Sequence, residues 1–175
     1  MTAGPRRLIV LRHAKSAWPP GVLDEERPLG PRGRRDAPVA GQWLRASACL
    51  PDAVVCSPAR RTRETWELAG RELREVPDVV FDPRVYEASG GQLLAVVRET
   101  AGSLRTLLLI GHNPGVQDLV LTLANHASAD HQLAQAREKF PTSAIAVLSL
   151  PSAWKDLAPH NAVLTDFAIP RDQKT

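Results

Sequence analysis

The chain has 175 residues, 43% apolar and 23% charged, which is enough apolar material for one packed core and too much for a disordered segment. Its formal net charge is +3, with arginines bunched in "RPLGPRGRR" and "SPARRTRET", so an anionic ligand is expected. Aromatics make up only 5% and no stacking platform or recognition helix is evident, which argues against nucleic acid.

Taken along the chain, "MTAGPRR" leads into only four strongly apolar residues before Arg12, too few for a secretory core or a membrane span; a cytoplasmic protein without membrane contact is expected. "RLIVL" (7–11) is a continuous apolar run that stops at Arg12-His13, the pattern of a strand buried on both faces of a parallel sheet. "GPRGRRDAPVAGQWLRASACL" places Val39, Trp43, Leu44 and Leu50 on one helical face, and Pro38 predicts a late start or a kink. "DAVVCS" (52–57) is a second buried strand, feeding a helix whose first turn accommodates Pro58. A short strand (79–82) follows, then a helix capped by Ser89 and carrying Leu93, Leu94 and Val97. "TLLLIG" (106–111) is the third long strand, followed by Gly111-His112-Asn113-Pro114 and a helix from near Pro114.

The last third changes character: "SAIAVLSL" (143–150) and "NAVLTDFAI" (161–169) are closing strands of antiparallel type, and "PRDQKT" is a frayed end. Strands alternating with helices predict a three-layer α/β/α sandwich with a mostly parallel central sheet. The whole of 1–175 is one domain, with its core between about residues 6 and 169. Cys49 and Cys56 are too isolated for a disulfide framework or thiolate metal site and read as core residues. His126 and His131 read as solvated.

In an open parallel sheet, ligands collect beyond the carboxyl ends of the strands. Three such ends carry Arg12-His13, Ser57 with the arginines after it, and Gly111-His112. A lone histidine after a strand is usually structural; if these strands are neighbours, two histidines and two or more arginines meet in one pocket, and arginines flanking a histidine make a phosphate cradle. Guanidinium forks match phosphoryl oxygens. A neutral imidazole attacks phosphorus if its far nitrogen is held protonated by a carbonyl or carboxylate.

"LRHAKS", "SPARRTRET" and "LIGHNPG" resemble, in this order, the Arg-His strand end, the Ser-Pro-x-x-Arg helix start and the Gly-His turn of the histidine phosphatase superfamily, which includes phosphoglycerate mutase. "RPLGPRGRRDA" and "TSAIAVLSL" are similar to its SixA-like phosphohistidine phosphatase group. The resemblance spans about Leu8 to Leu150 and implies a phosphoglycerate mutase-like fold and a metal-independent phosphatase that needs no cofactor. It makes His13 the phosphorylated nucleophile, with Arg12, Arg61 and His112 on the phosphoryl oxygens and Arg60 only a neighbour of Arg61. Arg27 is either a further phosphate contact or part of an exposed salt bridge. Glu87 is the positional match for the general acid, with Asp24 or Glu25 as substitutes; it can equally cap the next helix or pair with Arg84. Ala14 stands where the family commonly has glycine, which removes backbone freedom at that point. The implied partner is a phosphohistidine protein such as a phosphotransfer domain; a small phosphoester substrate and a non-catalytic phosphate-binding module are the alternatives.

Overall fold

The computed structural model describes residues 4–172. In chain order it forms β1 (Arg6–Arg12), α1 (Pro31–Ala46), β2 (Ala53–Cys56), α2 (Arg60–Gly70), β3 (Val79–Phe81), α3 (Gly90–Arg98), β4 (Thr106–Gly111), α4 (Gly115–Leu123), α5 (Asp130–Glu138), β5 (Ile145–Leu150) and β6 (Val163–Ala168), with short 3-10 turns at 24–26, 83–85 and 154–156. The sheet order is β3-β2-β4-β1-β5-β6. The first four of these strands run parallel, whereas β5 is antiparallel to both β1 and β6.

The continuous apolar runs make sense once both faces of the sheet are covered. Leu8, Val10, Leu107, Leu109, Ala146 and Leu148 point to a core completed by α3, α4 and α5, while Ile9, Leu11, Leu108, Ile110, Ile145 and Val147 point to α1 and α2. Each buried Val, Leu or Ile among them contributes about 1.5–3 kcal/mol, so the three central strands supply a rigid platform. This is the expected α/β/α arrangement. Ser89 caps α3 as its position suggested, in a reciprocal pair with Gln92.

Three expectations need correction. Helix α1 starts at Pro31, a favourable first-turn position, and continues through Pro38 rather than beginning after it. Of the expected face, Leu44 is buried and Trp43 packs partly buried against the core, but the rest of the contact is made by the small set Gly33, Asp36, Ala37, Ala40 and Gly41; Leu50 lies beyond the helix and is exposed. The reason is close approach: a Cβ on Gly41 would sit 2.1 Å from the Ala69 carbonyl oxygen of α2. Helix α5 was not anticipated, because only Ala136 of its nine residues is buried and no apolar stripe marks it. The "PRDQKT" segment falls partly outside the described residues, yet its described portion is tied down: the Asp172 N–H donates to the Asp36 carboxylate at 3.1 Å.

Cys49 and Cys56 are free and buried, and His126 and His131 are exposed. Among the described residues no helix is long and apolar enough to cross a membrane.

Candidate active site

Register builds the site. Arg12 of β1 pairs with Gly111 of β4, and Cys56 of β2 pairs with Ile110, so three adjacent parallel strands end almost level. The residues that follow, His13, His112 and Ser57, leave the sheet side by side, pinned by the His13 N–H on the Gly111 carbonyl and the Ser57 N–H on the Ile110 carbonyl. The two histidines open onto a cavity of about 220 Å³ whose wall also includes Arg12, Arg27 and Arg61.

His13 is 7% exposed. Its Nδ1 lies 2.7 Å from the Ala14 carbonyl oxygen, an acceptor only, so Nδ1 carries the proton and the Nε2 lone pair is free. Burial lowers the His13 pKa to about 3, reinforced by His112, Arg61 and Arg12 nearby; the Ala14 bond opposes them. The ring is therefore neutral at physiological pH, the state a nucleophile requires. Ala14 meets the loss of glycine without strain: it is not among the residues of positive φ, its N–H donates to the Thr65 hydroxyl at 3.0 Å, and its methyl packs with Leu29 and Ala37.

His112 sets Nε2 2.7 Å from the Ser57 hydroxyl, while its buried Nδ1 has no partner. Burial is again the main cause of a lowered pKa, to about 4, with Arg61, Arg12 and Arg27 acting in the same sense and Asp24 against.

The arginines come from separate segments. Arg12 ends β1 and donates from Nη1 to the Phe140 carbonyl at 2.9 Å. Arg61, in the first turn of α2, is 6% exposed, whereas Arg60 turns outward to pair with Glu64. Arg27 belongs to a loop whose ends meet at the Ser16–Leu29 bridge. It donates from Nε to the Ala17 carbonyl at 3.1 Å and from Nη2 to the Ser16 hydroxyl, and its guanidinium lies 3.1 Å from the centroid of the Trp18 ring. At 7% exposure it is a buried arginine on the cavity wall, and it is at the same time paired with the exposed Asp24 carboxylate at 3.0 Å, so it stands both on the cavity and in an ion pair.

Glu87 is not brought to this wall. It is exposed, in a left-handed backbone conformation (φ 54°), and faces a neighbouring cavity of about 290 Å³ with Arg84 and Gln92. It takes neither alternative role, since Ser89 caps α3 and Arg84 pairs with Asp82 and Glu99. Glu25 is exposed in the 24–26 turn, and the Asp24 carboxylate is bonded to Arg27 and Arg61. Tyr86, Thr65, Asn113 and Trp18 were not foreseen: the Tyr86 and His112 rings form a T-shaped pair with centroids 5.6 Å apart, and Asn113 and Trp18 line the cavity. Only Asn113, beside His112 in the "GHNP" turn, stood where sequence alone pointed.

The model of the histidine phosphatase superfamily (branch 1) matches residues 8–105. The chain belongs to the histidine phosphatase superfamily. It is accordingly a phosphatase; the matched span includes the first two strand-end motifs, at Arg12-His13 and Ser57–Arg61, and stops before the third, at Gly111-His112. Among curated relatives, the Mycobacterium tuberculosis protein Rv1276c is 41% identical over 162 residues, covering 92% of this chain and all of the relative. The Mycobacterium leprae protein ML1117 is 34% identical over 165 residues, with the same coverage. Both are named as uncharacterized. Among solved structures, the candidate phosphohistidine phosphatase SixA of Nakamurella multipartitia superposes with a TM-score of 0.85 at 33% identity, covering 96% of this chain and 98% of that one. A protein histidine phosphatase SixA complexed with tungstate shares the fold, with a TM-score of 0.76 at 23% identity over 94% and 97% of the two chains.

Proposed function

We propose that this phosphatase hydrolyses phosphohistidine on a protein, through a phosphohistidine of its own at His13. The observation that carries this reading is the lining of the cavity: among the described residues it is faced by two imidazoles and four cationic side chains, those of Arg12, Lys15, Arg27 and Arg61, and by no carboxyl group, while the neighbouring Asp24 carboxylate is taken up by Arg27 and Arg61 and held ionised. Cleaving an alkyl phosphoester calls for an acid to protonate the departing oxygen, worth about 10²–10⁴-fold in rate. A phosphoramidate departs as an imidazole that solvent can protonate. A wall without an acid suits that leaving group. The cavity's size agrees: about 220 Å³ is below the ~300–1,000 Å³ usual for small-molecule sites and accepts a phosphoryl group presented from outside.

In this mechanism the Nε2 lone pair of His13 attacks phosphorus in line, the substrate's P–N bond breaks, and the departing imidazole takes its proton from water. The Ala14 carbonyl offsets the positive charge that develops on the His13 ring. Arg12, Arg27 and Arg61 offset the charge on the equatorial oxygens. Water then attacks the phosphorus carried by His13, the second P–N bond breaks with its electron pair returning to Nε2, the proton released by that water neutralises the hydroxide left by the first step, and inorganic phosphate leaves.

Comparing kcat/KM on a phosphohistidine-bearing phosphotransfer domain, a phosphoserine peptide and p-nitrophenyl phosphate tests the reading. The phosphohistidine protein is expected to be turned over with the highest efficiency, and an acid-labile phosphoenzyme to be absent from His13→Ala. Higher efficiency on the phosphoesters would overturn the substrate assignment, and turnover by His13→Ala the mechanism.

A further inference from the structure

Asp24, in the 24–26 turn, ties that turn to the first turn of α2 and to the segment before α3. Its Oδ1 accepts from Nη1 of Arg27 at 3.0 Å; its Oδ2 accepts from Nη2 of Arg61 at 3.1 Å and from the Tyr86 hydroxyl at 2.6 Å. Its carbonyl oxygen accepts from Nη1 of Arg61 at 2.7 Å.

Arg27 and Arg61 are both buried cations on one small cavity, and like charges so placed repel. A carboxylate bridging them with one oxygen each offsets that repulsion and fixes both planes. The bridge does not exhaust the donors, because every Nη carries two N–H groups and Asp24 takes one from each that it touches. Tyr86 adds a third tie, and its ring forms the T-shaped pair with His112.

From this geometry we infer that Asp24 is a positioning residue: its carboxylate clamps Arg27 and Arg61 so that both guanidinium groups address one phosphoryl group. It acts through the arginines and gives no proton to the leaving group. The inference rests on reading the cavity as a phosphoryl site, but it concerns how an anion is held and not which substrate carries it. Hydrogen bonding from Tyr86, then from Arg27 and Arg61, holds the Asp24 carboxyl well below the usual carboxylate range, so it stays ionised for this task.

The test is calorimetric binding of inorganic phosphate to the wild type, Asp24→Asn, Arg27→Ala and the double variant, with melting temperatures recorded for each. Asp24→Asn is expected to weaken phosphate binding by about tenfold or more, the scale of a hydrogen bond to a charged group. In the Arg27→Ala background, where there is no pair of cations to bridge, the same change is expected to cost about twofold or less. Turnover should show the loss mainly in KM, with partial rescue by Asp24→Glu.

Tighter phosphate binding by Asp24→Asn would overturn the clamp, making Asp24 a competitor for the arginines. An equal loss in both backgrounds would reduce it to a structural contact, and a wild type that binds no phosphate would remove the clamp altogether. Should phosphate binding follow the expected pattern while phosphohistidine is not hydrolysed, the clamp stands and the substrate assignment falls.

Discussion

The rings of His13 and His112 lie 5.3 Å apart, tilted by 54°, because β1 and β4 keep register to their last residues. Burial penalises the charge on both rings, and the neighbouring cations, Arg61 and Arg12 for both, His112 in addition for His13 and Arg27 in addition for His112, act in the same sense. Folded-state pKa values of about 3 and about 4 follow, so neither ring should titrate between pH 5 and pH 8. Nitrogen chemical shifts of the two imidazoles, followed by NMR across that range, check this. A midpoint near the ordinary ~6.5 for His13 would contradict the neutral nucleophile.

The same depression links acid to stability. As pH falls below about 6.5, the unfolded chain takes up protons that the folded rings refuse. Stability present at neutral pH is therefore lost progressively as pH drops toward the folded values of about 4 and about 3. Each histidine involved adds a slope of about 1.4 kcal/mol per pH unit while only the unfolded state is protonated. Denaturant unfolding at pH 7.5, 6 and 5 should show a shallower decline for His13→Gln than for the wild type.

Ser57 holds the other imidazole. Its hydroxyl is fully buried, 2.7 Å from Nε2 of His112. Ser57→Ala leaves that nitrogen without its partner, so a loss of about 1–3 kcal/mol in stability is expected, together with a fall in kcat of about tenfold. An unchanged kcat would mean that His112 keeps its orientation without the serine.

A methyl group should be intolerable at Gly33 and harmless at Gly30. At Gly33 a Cβ would lie 2.1 Å from the Lys15 carbonyl oxygen, backbone against backbone, two residues beyond His13; at Gly30 the nearest atom is 3.6 Å away. Gly33→Ala is expected to cost at least about 3 kcal/mol, the upper end of ordinary overpacking, and to depress activity, while Gly30→Ala melts close to the wild type. Equal melting temperatures would show that α1 can move away from the loop at little cost.

Glu87 is expected to be dispensable for the first chemical step. A general acid contributes about 10²–10⁴-fold, whereas Glu87→Gln should keep kcat/KM on phosphohistidine within about threefold. A hundredfold drop would return the acid role to Glu87 and place the leaving group beside the 290 Å³ cavity.

The strand ends were legible because a strand covered on both faces is written as an unbroken apolar run, and each run here stops where the chemistry begins. His13, His112 and Arg12 could be placed for that reason, whereas Arg61, inside α2, is singled out only by the resemblance of "SPARR" to the family's helix start. Arg27 and Asp24 were harder, since their positions follow from a loop folding back to the Ser16–Leu29 bridge, which no periodicity records. Helix α1 misled because its contact face is made largely of glycine and alanine, and close packing of small residues leaves no apolar stripe. Helix α5 lies largely on the surface, so its sequence carries almost no burial signal.

Because the residues after β1, β2 and β4 are appended to one continuous ladder, a slip of a single residue in either pairing would turn its histidine or serine to the opposite side of the sheet. A half-assembled sheet thus has no half-working site. Recovery of turnover during refolding becomes a clock for the zippering of three strands, and a refolding trace read by activity should lag one read by helix content.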